Sequence, residues 1–328
     1  MKAEQPAIDQ FSRTIDYLRI SLTDRCNLRC RYCMPRGGGE HVSHDEILRY
    51  EELLQLAAVF YRFGIRKWRL TGGEPLIKSN LGFLIRGLYD IGPRVKLALT
   101  TNGLLLLSQL EELISNGISR INISLDTLRA DRFEYLTRGG QLAGVLEAIE
   151  AALACQIDPL RLNVIIFKDY NEDEILDFAQ LAVEKPIYVR FIEYMPLGQK
   201  SFYSRFGGIN GSFIKERISG AIPLTEIPSG ENTPADYYQP AGGLGRIGFI
   251  NPMSHAFCQS CNRLRLNSVG GLRPCLFSRQ EYNLKEPLRA NNLEEVTRLI
   301  ELAIHSKPEG YTLPGTKEEQ QPMSSIGG

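Results

Sequence analysis

Short apolar runs alternate with longer stretches in which apolar residues recur at helical spacing over the first 195 residues. Leu18–Leu22, Lys67–Thr71, Val95–Thr100, Arg120–Leu125, Arg161–Ile166 and Ile187–Ile192 read as strands. Tyr50–Phe63, Leu81–Ile91, Leu107–Asn116, Gly140–Cys155 and Glu172–Val183 read as amphipathic helices, with Gly64, Gly92 and Gly117 near helix ends as stop signals. This alternation predicts an α/β fold with a parallel sheet of βα units. Six units are six of the eight in a closed barrel, so a partial (β/α)6 TIM-like barrel is expected. After Glu193 the texture changes. Residues 196–252 are rich in Gly, Pro and Ser, which predicts a β-rich or irregular region over the barrel mouth. Gly242–Gly245 lacks the Lys-Ser/Thr of a phosphate loop and reads as a turn. The expected division is 1–195 and 196–328, with a polar tail from Lys307 that is flexible until docked.

Cysteine spacing changes the picture from fold to chemistry. Cys26, Cys30 and Cys33 form C-x3-C-x2-C in a loop that leaves the end of the first predicted strand. Three thiolates can hold three irons of a 4Fe–4S cube, and with no fourth cysteine nearby one iron stays open for chemistry. Trp68-Arg69-Leu70-Thr71-Gly72-Gly73-Glu74-Pro75 follows at the end of the second strand, where glycines let the backbone approach a ligand and Glu74 suits an ammonium partner. Cys258, Cys261 and Cys275 make a second incomplete set, C-x2-C-x13-C. It fits another open cluster, or a zinc site of three cysteines completed by His255. Within it, Arg263 and Arg265 share one face of an extended strand and offer planar forks to phosphates. The seventh cysteine, Cys155, ends a predicted helix and reads as a small buried hydrophobe.

Composition excludes several function classes. The chain has 328 residues, 43% of them hydrophobic, enough for one sizeable core with an appendage. Lys plus Arg equals Asp plus Glu at 38 each, a balance that argues against nucleic acid as a partner. No run approaches a membrane-spanning length, and residues 1–10 carry no targeting pattern, so a cytoplasmic protein without a membrane partner is expected. Six clustered cysteines suit metal binding in a reducing compartment.

The C-x3-C-x2-C loop with Tyr32 before its last cysteine, together with the Gly-Gly-Glu element, resembles the radical S-adenosylmethionine (SAM) superfamily. TDRCNLRCRYCMP, RLTGGEPL, LTTNG, INISLD, RFIEYM, FCQSCNRLRL, PCLF and a final Gly-Gly narrow the resemblance. They are similar to the radical SAM family that cyclises GTP at the start of molybdenum-cofactor biosynthesis. That resemblance implies two 4Fe–4S clusters and SAM as cofactors. It also implies abstraction of the ribose 3′ hydrogen by a 5′-deoxyadenosyl radical. Further, it implies hand-off of 3′,8-cyclo-GTP to cyclic pyranopterin monophosphate synthase, a reducing electron donor and a homodimer.

Carried over by motif, Tyr32, Gly73, Glu74, Ser124 and Met195 bind SAM. Arg19, Arg69, Thr100, Arg161, Arg190, Arg263, Leu264 and Arg265 bind GTP, and Gly327-Gly328 inserts toward the active site. The run Glu319–Met323 lacks the arginine often found before that terminus. The rival readings are a radical SAM enzyme acting on a peptide and a non-catalytic iron–sulfur or zinc protein. The first has no use for R-x-R, and the second has none for Gly-Gly-Glu.

Overall fold

The computed structural model of the chain describes residues 6–38, 42–197, 199–228 and 233–311. The six predicted strands are present as β1 (Tyr17–Ser21), β2 (Lys67–Thr71), β3 (Lys96–Thr101), β4 (Ile118–Ser124), β5 (Leu160–Val164) and β6 (Ile187–Ile192), neighbours in that order and all parallel. Six more follow: β7 (Leu224–Ile227), β8 (Asp236–Pro240), β9 (Arg246–Ile250), β10 (Arg263–Leu266), β11 (Gly271–Arg273) and β12 (Tyr282–Asn283).

The region after residue 195 does more than cover the mouth. It adds β9 parallel to β6 at one edge and β10 parallel to β1 at the other. The parallel stretch therefore runs β10-β1-β2-β3-β4-β5-β6-β9, with antiparallel β11-β12 and β8-β7 outside it. The result is a partial barrel that does not close.

The helices are α1 (Tyr50–Arg62), α2 (Leu81–Tyr89), α3 (Leu106–Ser115), α4 (Ala130–Thr137), α5 (Leu142–Ala154), α6 (Ile175–Glu184), α7 (Lys200–Phe206), α8 (Gly211–Ser219), α9 (Lys285–Arg289) and α10 (Leu293–His305). Their apolar stripes meet one face of the sheet. In α1, Leu53, Leu56, Ala57 and Phe60 are buried at helical spacing, and Phe60 sets its ring edge-on to Trp68 of β2 with centroids 6.5 Å apart. Glu52 accepts from the Arg49 N–H at 2.8 Å and ties down the start of that helix.

Each strand sends alternate side chains to opposite faces. Leu18 and Ile20, Trp68 and Leu70, Ile121 and Ile123, Leu160 and Leu162, Val189 and Phe191, and Leu264 and Leu266 enter the helix-covered core. Closed barrels fill the other face with branched apolar side chains. Here it is polar and lines a cavity.

Two expectations are corrected. Cys155 is exposed, because it caps α5 on the outside. The polar tail does not begin at Lys307, which is 2% exposed and bonded into the fold. Gly327 and Gly328 lie outside the described residues.

Candidate active site

One cavity of about 550 Å³ takes side chains from β1 to β6, from β10 and from the loops around both cysteine sets. Cys26, Cys30 and Cys33 line it beyond the C-terminal end of β1, and Cys258, Cys261 and Cys275 line it near the N-terminal end of β10, which runs parallel to β1.

The first set is held by backbone. The Gly73 N–H donates to the Thr23 carbonyl at 2.6 Å and the Glu74 N–H to the Arg25 carbonyl at 2.8 Å, pinning the cysteine loop to the turn after β2. Only glycine permits this approach. A Cβ on Gly72 would stand 2.6 Å from the Thr23 oxygen, and one on Gly73 would collide with the Arg25 carbonyl. On its other flank the loop docks on the end of α4, where the Arg29 and Arg31 N–H groups donate to the Thr137 and Leu136 carbonyls. Burial pushes the Cys30 thiol well up, with Cys33 and Cys26 adding to the effect.

Glu74 is 1% exposed. Its carboxylate accepts from the Leu76 N–H at 3.1 Å, the Thr101 hydroxyl at 2.7 Å and the Asn102 N–H at 2.8 Å. Burial outweighs these donors and raises it to about 7. Asn102 also reaches Asn27 at 2.8 Å, joining the end of β3 to the cysteine loop. Tyr32 sits among Phe167, Tyr194 and Phe202, with ring centroids 5.3, 6.3 and 6.2 Å away, and bonds to Asp126. Burial lifts Asp126 to about 6, although it accepts from the Ile165 N–H at 2.8 Å. Gly73, Ser124 and Met195 line the same cavity.

The second functional surface is a row of cations set by strand register. Arg265, Arg19 and Arg69 are aligned on β10, β1 and β2, while Arg263, Tyr17 and Lys67 are aligned one pleat away. Arg120, Arg161 and Arg190 continue the wall on β4, β5 and β6, so seven arginines face one cavity. Burial and then Arg265 hold Arg19 well below its ordinary value; burial, then Arg263, brings Arg265 down to about 10, and burial brings Arg190 to about 10. Tyr17 would be raised by burial, but Arg69, Arg19 and Arg263 bring it to about 8. Its hydroxyl accepts from Arg69 Nε, and Arg69 Nη1 also donates to the Thr100 hydroxyl at 3.2 Å.

Arg161 Nε, Arg190 Nε and Asn122 Oδ1 are buried with no partner. Two orphaned donors and an orphaned acceptor on a crowded cationic wall fit a polyanion with polar edges. Leu264 does not join this wall. Its side chain is fully buried in the core on the other face of β10.

Around the second cysteine set, burial would raise Cys261, yet the nearby Lys307 ammonium and Arg263 guanidinium hold it below its ordinary value. Burial raises Cys258. Among the described residues, no three His, Cys, Asp or Glu side chains gather about one point as the ligands of a single ion do, and His255 does not line the cavity. Three thiols with no histidine among the cavity's lining residues suit a cluster, in which each ligates its own iron, better than the zinc alternative. Both donor sets thus suit 4Fe–4S clusters.

Tyr17, Lys67, Arg120, Asn122, Asp126, Asn163 and Lys307 were not singled out by sequence. The twofold period held the signal for several of them. Arg120 and Asn122 share a face with Ser124, Lys67 shares one with Arg69, and Tyr17 shares one with Arg19.

Residues 20–182 match the radical SAM superfamily, and residues 187–313 match the family described as Molybdenum Cofactor Synthesis C. The chain is 46% identical over 322 residues to the GTP 3′,8-cyclase of Moorella thermoacetica, covering 98% of this chain and 99% of that protein. It is 45% identical to that of Alkaliphilus metalliredigens over the same shares. In fold it resembles Streptococcus suis SuiB bound to S-adenosylmethionine, with a TM-score of 0.61 at 14% identity over 88% of this chain and 68% of that one. No helix among the described residues is long and apolar enough to cross a membrane. Near-complete coverage at this identity places the chain in the GTP 3′,8-cyclase family of radical SAM proteins.

Proposed function

We propose that this chain converts GTP to (8S)-3′,8-cyclo-7,8-dihydroguanosine 5′-triphosphate, the first step of molybdenum-cofactor biosynthesis. The observation that carries this reading is the shared cavity, with two open sets of three thiols on opposite sides of seven arginines. Cys26, Cys30 and Cys33 hold one 4Fe–4S cluster and Cys258, Cys261 and Cys275 the other. When bound, the first cluster and SAM supply a 5′-deoxyadenosyl radical able to take the 3′ hydrogen of the ribose.

The chain's own residues do the rest. Gly73 and the turn before Glu74 keep the cysteine loop in place, and Ser124, Met195 and Tyr32 shape the SAM pocket. Arg19, Arg69, Arg263 and Arg265 clamp the triphosphate, and Arg161, Arg190 and Thr100 orient the nucleoside between the two clusters. Leu264 can take part only through its backbone. Holding both reactants in one cavity keeps the sugar near the radical source.

Residues 1–195 thus carry the radical-generating cysteine set and most of the cationic wall, 196–328 add the second cysteine set with Arg263 and Arg265, and Gly327-Gly328 completes the site. The enzyme acts in the cytoplasm as a homodimer and hands its product to cyclic pyranopterin monophosphate synthase. Anaerobic reconstitution followed by SAM, dithionite and GTP tests the reading. About eight irons per chain, GTP-dependent 5′-deoxyadenosine and a cyclised isomer of GTP are expected. SAM cleavage with GTP unaltered would overturn the substrate assignment.

A further inference from the structure

Two buried cations close the second cysteine set from behind. Lys307 follows α10, and its ammonium donates to the Arg263 and Pro274 carbonyls, both at 2.8 Å, and to the Cys261 thiol. Arg13 lies near the other end of the chain. Its Nε bonds Asp9 Oδ2 at 2.6 Å, its Nη1 donates to the Cys258 carbonyl at 2.7 Å and the Glu309 carbonyl at 3.2 Å, and its Nη2 to the Pro308 carbonyl at 2.7 Å. Each cysteine therefore has a clamped carbonyl within two residues of it: Cys258 its own, Cys261 that of Arg263, and Cys275 that of Pro274. The same segment covers the site with Tyr311, which stacks on Phe277 at 4.5 Å and donates to the Pro252 carbonyl at 2.7 Å.

The two cations differ in charge balance. Asp9 neutralises Arg13, and both side chains are buried. Lys307 is met by two carbonyls and a thiol, and a buried ammonium is unfavourable unless a counter-charge faces it. A cluster with three thiolate ligands carries such a charge.

We propose that Arg13 and Lys307 form a clasp that presets the three cysteines, and that Lys307 sets its charge against the second cluster and draws its reduction potential upward. Cluster potentials follow net charge and hydrogen bonds to the sulfurs, and Lys307 supplies both. This makes Lys307 a positioning residue, and it rests on the reading that Cys258, Cys261 and Cys275 hold a cluster.

The test uses the full chain carrying Cys26→Ala, Cys30→Ala and Cys33→Ala, so that only the second cluster reports. Iron retained against a chelator and the midpoint of an EPR-monitored redox titration are measured. A parent that takes up no iron overturns the cluster reading itself. Lys307→Gln keeps donors for the two carbonyls and removes the charge; near-parent iron retention with a midpoint shifted to more negative potential is expected. Lys307→Met removes both, so the midpoint shifts the same way and iron is lost several-fold faster. Arg13→Gln should speed iron loss with a smaller midpoint shift, since Asp9 already offsets that charge, and it carries the tethering test if Lys307→Met fails to fold. An unchanged midpoint in Lys307→Gln overturns the charge role. Parent-like iron retention in both Arg13→Gln and Lys307→Met overturns the clasp.

Discussion

The two cysteine sets face one cavity but depend on different neighbours. The first lies within eight residues; its loop is fixed largely by main-chain bonds that two glycines make room for, with Arg138 donating to the Arg29 and Met34 carbonyls. The second spans residues 258–275 and is fixed by the side chains of Arg13 and Lys307, which arrive from the two ends of the chain. A backbone-held site is broken by adding atoms, whereas a side-chain-held site is broken by removing the donors that hold it.

The largest expected effect comes from removing a ligand. Cys30→Ala should halve the iron from about eight to about four per chain and end 5′-deoxyadenosine formation; its persistence would contradict the assignment of the first set. Next is Asp9→Ala, which strands the buried Arg13 charge. It should cost about 3–5 kcal/mol of stability, read by denaturant unfolding, and loosen the second cluster only. Gly73→Ala is the converse experiment. Its methyl meets main chain that cannot swing aside, so a loss of about 3 kcal/mol and selective loss of the first cluster are expected in an iron assay.

Arg265→Ala should weaken GTP binding by at least ~10-fold, the equivalent of roughly 1.5–3 kcal/mol for a charged contact, as measured by calorimetry. Reductive SAM cleavage without GTP should persist. The last effect is a slope in the cluster-free chain, small over any single pH unit. Glu74 is raised from 4.5 to about 7 by burial, so the folded state binds more protons than the unfolded one between those values. Stability should therefore fall as pH rises through that window, by at most about 1.4 kcal/mol per pH unit, and Glu74→Gln should flatten the slope.

Much of the first region was legible in sequence because its determinants are local. β2 and β6 fall at their expected limits, and the other four strands shift by one or two residues. The cysteine loop and Gly-Gly-Glu turn carry their chemistry within a few positions. α4 escaped because Ala130–Thr137 is largely polar, with apolar contact limited to Phe133 and Leu136. The second region resisted for a different reason. β9 and β10 are short, their neighbours are Gly-rich, and what makes them barrel strands is pairing with β6 and β1. Lys307 looked like the start of a polar tail because the carbonyls that hold it lie more than thirty positions away. Nothing near Lys307 in sequence indicates burial.

The open sheet has a consequence for assembly in the cell. β1 is among the first strands to leave the ribosome, and β10, its partner on the outer side, is among the last. Loop closure over so long a span is slow. Until β10 docks, the arginine of β1 waits without Arg263 or Arg265 beside it, and the second cysteine set has not yet emerged. The first cysteine set and most of the cationic wall thus precede Arg263 and Arg265 in synthesis, and the wall is completed only when β10 docks on β1.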